Sequence, residues 1–244
     1  MSILLVAGVT ATFLLAGMVK GVIGLGLPTV AVGLLGIVLP PAEAAALLVV
    51  PSLVTNVWQL GGPGLTVLLR RLWPMLAGIA LGTWAGSGLI AGDAARMSVV
   101  LGLGLIVYAT IALAAPRLKV PPRAEPVLSP LAGAATGVVT AATGILVIPA
   151  APYLQALALD KDALVQAMGL CFTVSTAALA ASLAHQGLFQ APLIGASALA
   201  LLPALLGMWA GALLRKRMRP ERFRLYLFIG LLAVGAHLAL RPLL

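Results

Sequence analysis

The sequence predicts an all-α polytopic membrane protein built from two inverted five-segment repeats, the first pair of segments in each half being short, broken or re-entrant. Three observations carry this. The chain is 62% hydrophobic and 9% charged, with a mean hydropathy of +1.15, whereas a soluble domain carries about 25% charged residues. Its 244 residues fall into apolar runs with room for about eight to ten spans at roughly 20 residues each. Two short motifs also recur, in the same order, in the two halves of the chain.

Taken in order, the apolar segments lie near 3–19, 22–39, 42–60, 72–91 and 96–114, then 128–143, 145–158, 163–184, 192–213 and 223–240. Met1-Ser-Ile-Leu-Leu5 has neither a basic leader nor a small-residue cleavage site after it, so it reads as the start of a membrane helix and not as a signal peptide. Residues 115–126 are rich in proline and basic side chains and read as a cytoplasmic linker. They separate a first transmembrane repeat, 1–114, from a second, 127–244.

The net charge of +9 would suggest nucleic-acid binding in a soluble chain. Here nearly all the cations sit in links between apolar runs: Arg70-Arg71, Arg96, Arg117 with Lys119 and Arg123, and Arg215 to Arg224. They therefore read as positive-inside topology signals facing anionic lipid, and no nucleic-acid partner is expected. If Arg70-Arg71, the linker and the 215–224 cluster share the cytoplasmic side, an even number of crossings must separate residues 126 and 215. Segments 163–184 and 192–213 supply two, so 128–158 must return to the side it left. At 1.5 Å per residue that stretch measures roughly 46 Å against a hydrocarbon core of about 30 Å, which is too long for one span. The same holds for 3–39. Each half then has five segments, inserts in the opposite sense, and leaves both termini outside; Arg241 is the cation this arrangement places on the outer side.

The repeat itself is visible in two motifs. Leu15-Ala-Gly-Met-Val-Lys-Gly-Val22 matches Leu131-Ala-Gly-Ala-Ala-Thr-Gly-Val138 at five of eight positions, and Gly82-Thr-Trp-Ala-Gly86 matches Gly207-Met-Trp-Ala-Gly211. In each half the first motif opens a stretch interrupted by glycine and proline, 17–29 and 133–149, which is a poor place for one unbroken helix. Paired broken segments in an inverted repeat point to a transporter site near the midplane. Free N–H groups at such breaks suit an anion, so the expected partners are a small anionic substrate and the lipid bilayer. A homodimer is compatible with this layout.

In the first copy the candidate substrate-binding residues are Lys20, Gly21, Gly24, Gly26 and Thr29. In the second they are Thr136, Gly137, Thr140, Thr143 and Gly144. Thr136 and Thr140 share a helix face if that piece is helical; close helix packing by small residues accounts for them equally well. Lys20 is either a snorkelling anchor or a cation beside the substrate. No polar loop follows it before Leu39, which favours the second account. Asn56 and Ser175 fall at equivalent places in segments 42–60 and 163–184; an asparagine within a span is helix glue or pathway lining. Further polar groups there are Thr55, Gln59, Thr173 and Thr176.

Other chemistry is not expected. Glu43, Asp160 and Asp162 suit helix starts, so no carboxylate is left deep in a span for a proton relay. His185 and His237 are too isolated for a metal, and Cys171 reads as a small buried hydrophobe. No nucleophile–base set, metal-ligand spacing or phosphate loop is present, so no enzymatic activity and no cofactor is expected.

Gly17-Met-Val-Lys-Gly-Val-Ile-Gly-Leu-Gly-Leu-Pro28 with its long apolar continuation, and the second copy Gly133 to Pro149, resemble the sulfite exporter TauE/SafE family of membrane permeases. Family members often carry a denser glycine run before the proline, which Leu25 and Leu27 interrupt in the first copy and Ala141-Ala142-Thr143 replaces in the second. The resemblance implies transport of a small sulfur-containing anion, of sulfite, sulfonate or sulfoacetate type, across a bacterial plasma membrane. A carrier of another solute, such as a carboxylate or amino acid, and a non-transporting scaffold are the alternatives; unwound backbone in lipid favours transport over a scaffold.

Overall fold

The computed structural model describes residues 3–114, 119–215 and 220–241; Arg117, Lys216, Arg217 and Arg219 of the basic stretches lie outside them, as does the side chain of Glu221. Among the described residues there are ten α-helices and no strand. They are α1 (Ile3–Ile23), α2 (Leu27–Leu35), α3 (Pro41–Trp58), α4 (Leu65–Ala85), α5 (Ala94–Ala114), α6 (Glu125–Thr143), α7 (Ala150–Ala156), α8 (Lys161–His185), α9 (Ala191–Arg215) and α10 (Pro220–Leu240). All but α2 and α7 are long and apolar enough to span a membrane.

The ends of the bundle differ. At one end, here called basic, Arg71 in the second turn of α4 forms a two-pronged ion pair with Glu125 at the start of α6 (2.6 and 2.8 Å). Val120 N–H donates to Ala156 C=O at the end of α7, and Arg224 in the first turns of α10 donates to Ala112 C=O at the end of α5. Gln166 in α8 donates to Leu60 C=O beyond α3. At the other end Arg241 donates to Ile37 C=O beyond α2, and Ser182 bonds Ser87 between the ends of α8 and α4. These contacts fix directions: α1 runs toward the basic end, α2 away, α3 toward, α4 away and α5 toward it. Helices α6 to α10 run in the reverse order.

Two corrections to the sequence reading follow. First, only the second segment of each initial pair is short. Helix α1 continues unbroken through Gly17 and Gly21, and α6 through Gly133 and Gly137. Secondly, Arg70-Arg71 lie inside α4, which begins at Leu65, and not in a link before it.

The glycines explain the unbroken helices. A Cβ on Gly17 or Gly21 would overlap the backbone of Ala204 or Met208 in α9, and one on Gly207 or Gly211 that of Leu14 or Met18 in α1. The second seam repeats this: Gly133 and Gly137 of α6 lie on the Met75 and Ile79 carbonyls of α4, and Gly78 and Gly82 on Pro130 and Ala134. Both seams run parallel and join a helix of one half to a helix of the other. Without a hydrophobic effect between helices in lipid, such close backbone approach is what holds spans together. Helices α3 and α8, the most enclosed of the long helices, pack antiparallel at the centre.

Candidate functional site

Three side chains from α1 and α3 meet inside the bundle. Lys20, one turn before the end of α1, is 3% exposed. Its ammonium donates to Thr55 Oγ1 at 3.0 Å and to Asn56 Oδ1. Asn56 Nδ2 in turn donates to Ser52 Oγ (3.1 Å), and Ser52 Oγ lies 3.1 Å from Thr176 Oγ1 on α8. Each hydroxyl also bonds within its own helix, Thr55 to Pro51 C=O and Thr176 to Phe172 C=O. A chain of polar groups thus crosses from α1 through α3 to α8.

The spacing that builds it is helical. Ser52, Thr55 and Asn56 lie at i, i+3 and i+4 on one face, directly after Pro51, which has no N–H to bond the Leu47 carbonyl. Ser197 Oγ of α9 donates to that carbonyl (2.8 Å) and accepts from Val50 N–H (3.0 Å). Ser52 and Ser197 carry no mark in the sequence beyond being small and polar; the i, i+4 relation of Ser52 to Asn56 is the signal that would have found the first.

The ammonium has three donors and two bonded acceptors, both neutral. Among the described residues the one ion pair is Arg71–Glu125, so no carboxylate balances Lys20. A buried charge is costly unless paired, and both groups bonded to this one are neutral. Further donors lie on neighbouring elements. Thr29, in the first turn of α2, and Ser175 on α8 are fully buried with hydroxyls that have no partner. No side chain caps α2, so its first N–H groups remain open as at any helix start.

The turn from α1 to α2 is short and tight. Gly24 and Gly26 adopt φ of +89° and +104°, a region that costs other L-residues about 1–2 kcal/mol. Gln59, directly after α3, donates to the Gly24 carbonyl at 2.6 Å.

The second break is built otherwise. Gly144 has φ +73° and Ile148–Pro149 is cis. Thr140 Oγ1 donates to Ile145 C=O, and Thr143 Oγ1 accepts from Ile145 N–H. Thr136 Oγ1 bonds its own helix at Ala132 C=O. These hydroxyls are engaged locally, and Gly21 and Gly137 lie in the helix seams. The candidate residues thus divide: Lys20 and Asn56 are in direct contact, Gly24 and Gly26 form the neighbouring turn, Thr140, Thr143 and Gly144 belong to a separate break, and Thr136 and Gly137 lie within α6.

The two breaks do not meet at the middle of the bundle, which corrects the expectation of a shared midplane site. The first is tied to Gln59 at the basic end of α3, whereas Gly144 faces Ala45 near its other end. That is a separation of roughly 21 Å along α3 at 1.5 Å per residue.

At the basic end, beside the first break, lies a cavity of about 420 Å³. Ile23 and Leu25, on either side of Gly24, form part of its wall.

A family model described as sulfite exporter TauE/SafE matches residues 9–238. No curated protein and no solved structure matches the chain.

Proposed function

Since the chain belongs to the sulfite exporter TauE/SafE family, a family of multi-pass membrane transporters and not of enzymes, we propose that it carries a small oxyanion, sulfur-containing, through a site centred on Lys20 between its two halves. The buried ammonium held by neutral acceptors alone is the observation that supports this most. It supplies the positive charge, and the unpartnered hydroxyls of Thr29 and Ser175 and the open N–H groups at the start of α2, on neighbouring helices, are the hydrogen-bond donors the reading assigns to the anion. Asn56 and Thr55 hold the ammonium in place.

The opposite directions of α1–α5 and α6–α10 and the antiparallel α3–α8 pair support an inverted repeat; the positive-inside rule supports a cytoplasmic basic end, and the family implies a bacterial plasma membrane. In this reading the cavity at the basic end is the approach from the cytoplasm, and the Gly24–Gly26 turn stands between it and Lys20.

Flux into proteoliposomes of sulfite, a short alkyl sulfonate and acetate tests the assignment. Saturable movement of sulfite or the sulfonate, with little of acetate, is the expected result. Equal movement of acetate would assign a general carboxylate carrier instead, and no movement of any of the three would overturn the reading.

A further inference from the structure

The cavity at the basic end is larger than a single small oxyanion needs and has a different lining from the Lys20 site. Its walls come from the first break, the end of α5, α7 and the start of α10. Most of the surface is apolar: Ile23, Leu25, Ile111, Pro152 and Phe228 line it. Two cations face the same space, Lys119 from the linker and Arg224 from α10. Arg224 packs there with its guanidinium 5.5 Å from the Phe228 ring centre and one bond, of 3.0 Å, to Ala112 C=O. A guanidinium has five donors, so most of them remain for a ligand. No carboxylate among the described residues lines the cavity.

An apolar pocket of this size with a few convergent polar groups is the form of a binding site, and basic pockets between spans on the cytoplasmic side take anionic lipid headgroups. We propose that this cavity is a second site, separate from Lys20, for an amphipathic anion: an oxyanion head held by Arg224 and Lys119 with an apolar body against Ile111, Pro152 and Phe228. The chemistry is that of an anionic phospholipid or of a soluble single-chain alkyl phosphate. Its occupant sits against Ile23 and Leu25 and so bears on the turn at Gly24. The site thereby regulates passage from the basic end; that last step rests on the transport reading above, whereas binding itself does not.

The test measures the thermal unfolding midpoint of the purified protein in a nonionic detergent with four probes: dihexanoyl phosphatidylglycerol, dihexanoyl phosphatidylcholine, hexyl phosphate and inorganic phosphate. A saturable rise is expected with phosphatidylglycerol, hexyl phosphate or both, with phosphatidylcholine and inorganic phosphate at least tenfold weaker. Response to phosphatidylglycerol alone assigns the lipid, and to hexyl phosphate as well assigns any amphipathic anion. Lys119→Gln, on an exposed side chain, should weaken the midpoint response about three- to tenfold, and Lys119→Gln with Arg224→Lys should weaken it further while keeping the charge that packs on Phe228. Lys20→Met should leave it unchanged, which separates this site from the transport site whatever becomes of the latter. Equal responses to phosphatidylcholine, an equal response to inorganic phosphate, or an unaltered response in Lys119→Gln would each overturn the proposal.

Discussion

The two breaks occupy matching places in the two halves and are closed by different means. The second is self-contained: Thr140 and Thr143 satisfy the Ile145 backbone from within the same hairpin, and Ile145 to Val147 are fully buried. The first has no such hydroxyls. Its Gly24 carbonyl depends on Gln59 at the end of another helix, Thr29 stays unpartnered, and one turn earlier the buried cation Lys20 stands where the second half has Thr136. One break is thus closed by hydroxyls of its own hairpin, and the other leaves polar groups without a partner. On the transport reading proposed above, that difference between the halves supplies the chemistry.

That asymmetry is most exposed to test at Lys20. Lys20→Met should reduce flux per folded molecule about five- to a hundredfold, the equivalent of about 1–3 kcal/mol for a hydrogen bond to a charged group. Lys20→Arg should retain part of it, since charge survives with altered shape and hydration. Normal flux with Met at position 20 would erase the functional difference between the halves.

Asn56→Leu removes both the acceptor for Lys20 and the donor to Ser52. It should cost about 1–3 kcal/mol of stability by leaving buried groups unpaired, seen as a lower unfolding midpoint together with reduced flux. A flux loss without a change in midpoint would move Asn56 from holding the lysine to touching the substrate.

Alanine at the turn glycines sharpens the contrast further. Gly24→Ala meets open space and carries only the backbone penalty of about 1–2 kcal/mol, whereas at Gly144 a Cβ also comes within 3.2 Å of Ala45 and Val32. The stability loss should thus be greater for Gly144→Ala, and the flux loss per folded molecule greater for Gly24→Ala. Both halves responding alike would argue against a division of labour.

The smallest effect is expected at Thr136→Val. That hydroxyl only back-bonds Ala132 within α6, so stability should change by about 0.5 kcal/mol or less, in keeping with the slight influence of such bonds on helices. A large flux loss in proteoliposomes would restore the second-half threonine to the site.

Class and helix positions were legible because burial in lipid writes long apolar runs directly into composition. The breaks were legible only in part. Glycine marks both a helix end and a close helix contact, and what separates the two at Gly17 and Gly21 is the presence of Gly207 and Gly211, nearly the whole chain away. Lys20 and Asn56 each stood out as polar groups in apolar surroundings. Their pairing did not, since it depends on how α1 and α3 dock. The level of each break along α3 was equally out of reach of a local reading, for the same reason.

The glycine seams have a mechanical consequence. Each fastens one helix of the first half to one of the second, α1 to α9 and α4 to α6, by backbone surfaces with no side chain between them to give way. The tightly joined pairs are therefore chimeras of the two halves and not the halves themselves. Cutting the chain at the linker would divide the gene product cleanly yet leave each fragment with half of two such pairs, so the fragments should regain their packing only in each other's company.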